Sequence, residues 1–178
     1  MRPFARQIHR PAERMKTNIA KAKKAMGIND PELVWTFFLA FSRFEYALKR
    51  VGYINTRNGN VSANWQRFAS VNRRRFDLNR DPELLAAYDY LISRPPKKQA
   101  SAQGVLTWRD SPPIGKTPVL CWLVQMVAVV RNNLFHGGKF PWPVDTSRNS
   151  ILIRHSLVLL DAFVELDERV KHYFTGRG

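Results

Sequence analysis

The sequence predicts an all-α protein, an antiparallel bundle of four to five helices that follows a basic N-terminal arm. Apolar residues recur at helical spacing after residue 30, two segments open with the helix-start pattern Asp-Pro-Glu-Leu, and no segment alternates as a half-buried strand does. The chain has 178 residues, of which 44% are hydrophobic, and this suits one domain with its own core. We therefore expect an arm over residues 1–29 and one helical domain over residues 30–178.

Cap residues and helix-stopping glycines set the expected helix boundaries. Asp30 and Asp81 each precede a proline and an acidic first turn, as N-cap residues do, and Gly52 follows the last apolar position of the first helix. Residues 55–60 should form a turn, and residues 94–113 a long loop that Trp108 pins to the body. The expected helices run from about Asp30 to Gly52, Ser62 to Arg73, Asp81 to Ser93, Val119 to Phe135 and Ser150 to Phe174.

The composition favours a polyanionic partner and a reducing compartment. Lys and Arg number 29 against 14 Asp and Glu, and the resulting net charge of +15 attracts nucleic acid, acidic membrane surfaces or acidic proteins. The single cysteine, Cys121, cannot form an internal disulfide. The longest apolar run, residues 119–130, falls short of the roughly 20 residues of a membrane span, and no secretory signal is visible. We expect a cytoplasmic protein without a membrane partner.

Basic residues are concentrated in the N-terminal arm. Four arginines recur at every fourth position and four lysines follow them, against one acidic residue within residues 1–29. Such a segment either binds RNA or serves as a solvated tail, and the charge run alone leaves both interpretations open. Together with three arginines near the end of the second expected helix, the predicted RNA-binding residues are Arg2, Arg6, Arg10, Arg14, Lys21, Lys23, Lys24, Arg73, Arg74 and Arg75.

Several short patterns are better explained by structure than by chemistry. Residues 115–117 resemble the end of a phosphate-binding loop, but Asp110 occupies the position of its first glycine. Asp161, Glu165 and Glu168 share one face of the last expected helix without a histidine at ligand spacing, which favours a solvated face over a metal site. We expect no metal or cofactor, and we assign the other isolated candidates to the surface or the core: His9, His155, His172 and Cys121.

One polar cluster differs from these patterns because it ends the most apolar helix of the sequence. Residues 131–138 read Arg-Asn-Asn-Leu-Phe-His-Gly-Gly. Arg131 and His136 fall near the C-terminus of this helix, where the helix dipole favours a cation. A cationic helix end closed by Asn and Gly explains the pattern equally well. The local spacing therefore leaves a structural and a catalytic interpretation open.

This cluster resembles the R-polar-x-x-x-H motif of HEPN domains, which are all-α domains named for higher eukaryotes and prokaryotes nucleotide binding. Arg131, Asn132 and His136 occupy the motif positions. Residues 41–49, which read Phe-Ser-Arg-Phe-Glu-Tyr-Ala-Leu-Lys, resemble the long first helix of that fold. In helix order the resemblance extends over about residues 30–174, and it implies a HEPN-like bundle.

The resemblance implies a metal-independent endoribonuclease with a composite site shared by two protomers, as in toxin–antitoxin or antiviral defence effectors. Arg131 would bind the phosphate, and His136 would exchange a proton with the ribose 2′-OH or the leaving 5′-oxygen. Asn132 would hold the phosphate or orient the histidine. One histidine per chain cannot easily be both acid and base, so we expect a homodimer that cleaves RNA and spares DNA. Residues 119–130 are apolar on more faces than one buried stripe requires, which is compatible with an interface.

Two other functions remain open from the sequence. A HEPN-like domain that does not cleave would be an RNA- or nucleotide-binding module, or one half of an assembly with an antitoxin or a defence-complex partner. A helical scaffold that docks acidic proteins through its charge would not depend on Arg131 or His136. Glu45 is a further candidate, since it either pairs with Arg131 or Arg43 or forms an ordinary helical pair with Lys49, which we favour.

Overall fold

The computed structural model of the protein describes residues 15–21, 30–135 and 146–176 and is mainly helical. These residues form seven α-helices, a short 3-10 helix and two small antiparallel sheets. In this part of the chain no helix is long and apolar enough to cross a membrane. In chain order the elements are α1 (15–21), α2 (Pro31–Val51), β1 (Ile54–Arg57), β2 (Asn60–Ala63), α3 (Trp65–Asn72), the 3-10 helix (Leu78–Arg80), α4 (Pro82–Ser93), β3 (Lys98–Ala102), β4 (Val105–Arg109), α5 (Val119–Phe135), α6 (Thr146–Val164) and α7 (Glu168–Thr175).

The caps of two helices lie where the sequence predicts them. Asp30 Oδ1 accepts a hydrogen bond from the Leu33 backbone N–H at 3.0 Å, and α2 begins there. Gly52 ends α2 with a φ of 92°, a left-handed conformation that glycine adopts without strain. The second Asp-Pro start is confirmed as well, because Asp81 Oδ1 accepts from the Glu83 backbone N–H at 2.8 Å.

Residues 54–63 form a β-hairpin where the sequence predicted only a turn. β1 and β2 pair in antiparallel fashion around Asn58 and Gly59, whose φ angles are 50° and 77°. Positive φ at both positions is typical of Asn-Gly hairpin turns. The prediction that Ser62 caps α3 is wrong, because Ser62 lies within β2. Asn64 caps α3 instead, and its Oδ1 accepts a hydrogen bond from the Arg67 backbone N–H at 2.8 Å.

A second hairpin replaces the long loop that was predicted over residues 94–113. β3 and β4 pair in antiparallel fashion between residues 98 and 109. The chain turns at Gln103 and Gly104, which both have positive φ. The prediction of an all-α protein is therefore correct only at the level of a mainly-α class.

Hydrogen bonds at its base attach this hairpin to the helices. Trp108, the predicted anchor, is 39% exposed. Instead, Asn133 Nδ2 on α5 donates to the Lys97 carbonyl oxygen at 2.7 Å, and Trp122 Nε1 donates to the Pro112 carbonyl oxygen at 3.1 Å. The hairpin is thereby held against the side of α5.

The last predicted helix, residues 150–174, is divided into two. α6 ends before Asp167, whose Oδ1 accepts from the Arg169 backbone N–H at 3.0 Å and so caps α7. The division places Glu168 on a different helix from Asp161. The acidic face that was predicted on one helix is therefore not formed.

One aromatic and aliphatic core lies between the helices. α2 contributes Phe37, Phe41, Phe44 and Leu48 to this core, in the helical spacing that the sequence shows. α5 is the most deeply buried helix, and it packs against α3, α6 and β3. The first long helix, α2, packs against α6 and α7. The core thus fixes the course of α5, and with it the position of the motif.

Candidate active site

The C-terminal end of α5 carries two of the three motif residues. Val130, at 4% exposure, and Leu134, at 6%, anchor this helix end in the core. Arg131 lies between them and is half-buried, whereas Asn132 is exposed. The helix, buried along most of its length, therefore presents polar groups at this turn. His136 lies outside the described residues.

Arg131 lies between an aromatic ring and an amide. Its Cζ atom is 5.3 Å from the centroid of the Phe41 ring on α2, within the range of a cation–π interaction. Its Nη1 donates a 3.1 Å hydrogen bond to Asn132 Oδ1. The Oδ1 atom of the Asn132 amide thus accepts from Arg131, and its Nδ2 atom is directed away from Arg131. A guanidinium group of this kind can bind a phosphate through two parallel N–H donors.

Phe41 connects Arg131 to Glu45 through a second aromatic ring. The Phe41 and Trp65 rings stack with centroids 4.7 Å apart, and Trp65 Nε1 donates a 3.2 Å hydrogen bond to Glu45 Oε1. Within the described residues, Glu45 forms neither the pair with Lys49 that we favoured nor a pair with an arginine. Its carboxylate instead fixes the indole ring that stacks on Phe41.

Arg43, the alternative partner of Glu45, binds the end of α7. Its Nε donates to the Phe174 carbonyl oxygen at 3.2 Å, and its Nη2 donates to the Tyr173 carbonyl oxygen at 2.5 Å. A cation at a helix C-terminus pairs carbonyl groups that the helix leaves without partners and complements the helix dipole. Arg43 therefore ties α2 to α7.

The predicted RNA-binding residues that the structure describes lie on two other helices. Lys21 is exposed on α1, and residues 73–75 are exposed at the end of α3. Burial raises the pKa of the Cys121 thiol, and the nearby charge of Arg73 lowers it in part. Since Cys121 precedes Arg131 by ten residues, or about 15 Å of helix, Arg73 lies near the opposite end of α5. Arg75 Nη1 donates to the Leu166 carbonyl oxygen at 3.3 Å. The other predicted residues lie outside the described part of the chain: Arg2, Arg6, Arg10, Arg14, Lys23 and Lys24.

The remaining candidates have local partners. The ring of His155 lies 4.7 Å from that of Tyr90, and burial lowers the pKa of this histidine. His172 is exposed and packs edge-on against Tyr173. Cys121 is buried, as predicted, and His9 lies outside the described residues. In the segments that the structure describes, no three His, Cys, Asp or Glu side chains gather as metal ligands would.

A groove beside the motif was not predicted. It has a volume of about 490 Å³ and lies between α5 and β3. The one available signal was Gln125, a polar residue that interrupts the apolar run of α5 and lies two turns before Asn132. The groove is lined by Lys98, Gln99, Gln125, Ala128, Val129, Asn132 and Asn133.

Comparison of the chain with protein-family models, with curated proteins and with solved structures gives no match. The candidate site is therefore defined by its own residues and their geometry.

Proposed function

We propose that this chain is a metal-independent endoribonuclease of the HEPN type, with Arg131, Asn132 and His136 in its active site. The observation that carries the proposal is the Arg131–Asn132 pair, which a 3.1 Å hydrogen bond joins at the polar end of a buried helix. The mainly helical fold, with the long helix α2 packed beside the motif through Phe41, is compatible with a HEPN-like bundle. The net charge of +15 suits an RNA substrate.

Each motif residue has one chemical task in this proposal. The Arg131 guanidinium binds the scissile phosphate and stabilises the charge that develops on its non-bridging oxygens. His136 takes the proton from the ribose 2′-OH, whose oxygen attacks phosphorus while the bond to the 5′-oxygen breaks. A second histidine protonates that leaving oxygen, which gives a 2′,3′-cyclic phosphate and a 5′-hydroxyl. Asn132 donates to the phosphate through Nδ2, since its Oδ1 accepts from Arg131.

The second histidine comes from a second copy of the chain, and the active unit is a homodimer. The spare apolar faces of α5 are not available for this interface, because residues 120–124 are buried within one chain. An apolar row on α2 offers a different surface. Trp35, Leu39 and Tyr46 on this helix are 54%, 43% and 42% exposed.

Incubation of labelled RNA with the purified protein in EDTA tests the proposal. We expect products that end in a 2′,3′-cyclic phosphate, and no products with Arg131→Ala or His136→Ala. Arg57→Ala and His172→Ala are matched controls, because both residues are exposed and lie outside the motif. Cleavage that requires added Mg²⁺, or that survives both motif substitutions, would contradict the proposal.

A mixture of the Arg131→Ala and His136→Ala chains tests the shared site. Heterodimers would combine one intact arginine with one intact histidine, so the mixture should differ from either parent in activity or in RNA binding. A strictly monomeric protein with full activity would exclude the composite site.

The exposed arginines at the end of α3 favour a second candidate, a HEPN-like RNA-binding module that does not cleave. This candidate predicts RNA binding that weakens on removal of Arg73 and Arg74, with no cleavage product under any condition. The cleavage assay in EDTA separates the two functions directly.

A further inference from the structure

The groove between α5 and β3 has polar groups at both ends and a small apolar patch between them. Gln125 and Asn132 lie on one face of α5, seven residues and therefore about 10 Å apart. Two small aliphatic residues, Ala128 and Val129, separate them along the same wall. Lys98 and Gln99 on β3 form the opposite wall. The dimensions suit a planar polar group that makes hydrogen bonds at its edge.

The hydrogen-bonding groups of the groove are mostly donors. The side-chain nitrogen of Gln99 is buried and has no hydrogen-bond partner within the described residues. Asn132 presents its Nδ2, because its Oδ1 accepts from Arg131. Asn133 presents its Oδ1, because its Nδ2 donates to the Lys97 carbonyl oxygen. A buried donor without a partner is unfavourable, so this arrangement indicates a ligand that supplies acceptors.

We propose that the groove binds an unpaired keto base, guanine or uracil, in the RNA strand beside the scissile phosphate. Both bases present a carbonyl oxygen next to a ring N–H. The carbonyl oxygen accepts from the Gln99 amide, and the ring N–H donates to an amide oxygen of the groove. Adenine and cytosine place an amino donor where the keto bases have oxygen, and this donor would face the donor nitrogen of Gln99. Single-stranded RNA offers such base edges because its bases can turn out of the stack.

This inference rests on the proposed function for the location of the phosphate. Asn132 belongs to both sites, since it lines the groove and accepts the hydrogen bond from Arg131. A base in the groove would therefore lie next to a phosphate on Arg131. The expected consequence is cleavage beside G or U.

Binding of RNA that cannot be cleaved tests the groove apart from catalysis. The probes are 2′-O-methyl oligonucleotides made only of A and C, and the same oligonucleotides with one central U or G. We expect the U- or G-containing probes to bind about tenfold more tightly in a fluorescence anisotropy assay. Gln99→Leu and Gln125→Leu should each reduce this preference to about twofold or less. Gln66→Leu removes an amide of α3 that lies outside the groove and donates to the Cys121 carbonyl oxygen, and it should retain the preference.

A variant that exchanges donor for acceptor sharpens the test. Gln99→Glu replaces the amide donor by an acceptor, so the preference should move toward A and C. Equal affinity for all probes, or a preference that persists in both leucine variants, would overturn the inference. Cooperative thermal unfolding of each variant checks that it is folded. Because Gln99→Leu and Gln125→Leu alter different walls of the groove, each measures the loss of base preference independently of the other.

The outcomes separate the groove from the catalytic proposal. If the protein cleaves unmodified RNA at all four bases equally, the endoribonuclease proposal is retained and the base site is excluded. If the probes bind with the keto preference but RNA is never cleaved, the base site is retained and the catalytic proposal fails. An absence of binding to every probe would contradict the base site, whatever the cleavage assay shows.

Discussion

Two arginine-centred clusters of this protein differ in what accompanies the cation. In the first, Arg169 Nη2 lies 2.7 Å from Asp167 Oδ2, and Tyr53 Oη donates to the same oxygen at 2.9 Å. Asn72 Nδ2 completes this cluster with a 3.5 Å contact to Tyr53 Oη. Burial opposes ionisation, but the hydrogen bonds from Arg169 and Tyr53 lower the pKa of Asp167 below its ordinary value. The charges of this cluster are matched within the fold.

In the second cluster, Arg131 lies over the Phe41 ring and donates to the neutral amide of Asn132. The Phe41 ring stacks on Trp65, and Trp65 Nε1 donates a hydrogen bond to the carboxylate of Glu45. The comparison teaches that the arginine of the first cluster supports a cap carboxylate, which Tyr53 joins to a distant part of the chain, whereas the arginine of the second cluster contacts a ring and an amide at a polar helix end. Residue type alone does not distinguish the two uses.

The first prediction contrasts the stability effects of the two clusters. Asp167→Ala removes the cap of α7 and the acceptor of two side chains, so we expect the free energy of unfolding to fall by about 2–3 kcal/mol. Arg131→Ala should lower it by less than about 1 kcal/mol, although we expect the same substitution to abolish the proposed cleavage. Urea unfolding followed by circular dichroism measures both. Asp110→Ala is the control, since this exposed acid should contribute within about 0.5 kcal/mol. Equal decreases in the two clusters would break the comparison.

The second prediction concerns the pH dependence of the first cluster. Because the folded-state pKa of Asp167 lies below the ordinary value of 3.8, its ionisation stabilises the fold fully above that pH. This contribution is lost as the pH falls from about 4 through the folded-state pKa. Asp167→Asn keeps a capping side chain but does not titrate. The stability difference between wild type and variant should be constant above about pH 5 and shrink below about pH 4. A difference that does not vary between about pH 6 and pH 3 would show that the carboxylate is not the group involved.

The third prediction addresses the ring stack beneath Arg131. Trp65→Phe keeps an aromatic ring against Phe41 but removes the N–H that donates to Glu45, and should lower the unfolding free energy by about 1 kcal/mol. Glu45→Gln retains an acceptor and should cost less. In a double-mutant cycle the two substitutions should couple, since they affect one hydrogen bond. Strict additivity would mean that this bond contributes nothing to the fold.

The smallest expected effect separates binding from chemistry. Replacing Arg73 and Arg74 by Ala should flatten the dependence of log affinity on log salt by about 0.7 for each RNA phosphate that the protein no longer neutralises. Turnover at saturating RNA should not change, because these arginines lie at the other end of α5 from Arg131. Arg57→Ala should leave the salt slope unaltered. If the double variant instead lowers turnover and keeps the salt slope, Arg73 and Arg74 act in catalysis and do not provide the RNA-binding charge.

The sequence predicts those features that depend on a few neighbouring residues. Asp30 and Gly52 carry their own cap chemistry, and α2 begins and ends beside them as expected. The second hairpin was missed because residues 98–102 have little intrinsic strand preference, and pairing with β4 decides their conformation. The break at Asp167 was missed because the apolar spacing continues across it. Its cap forms in a place that also receives Tyr53 from far along the chain.

The candidate site divides in the same way. Arg131 and Asn132 are adjacent in the chain, so their position on one helix end follows from the period of α5. Their surroundings do not follow from it, because Phe41 and Gln99 come from α2 and β3. Only the packing of three distant segments brings an aromatic ring and an amide-lined groove to this helix end.

The burial of Cys121 gives the protein a built-in reporter of helix opening. It is the one cysteine of the sequence, lies near the start of α5 and is 8% exposed, and burial raises the pKa of its thiol. Alkylating reagents attack the thiolate and need access to sulfur, so modification of the native protein waits for a transient separation of α5 from its neighbours. The labelling rate therefore measures how often the helix that carries Arg131 leaves its packed position, without any engineered probe.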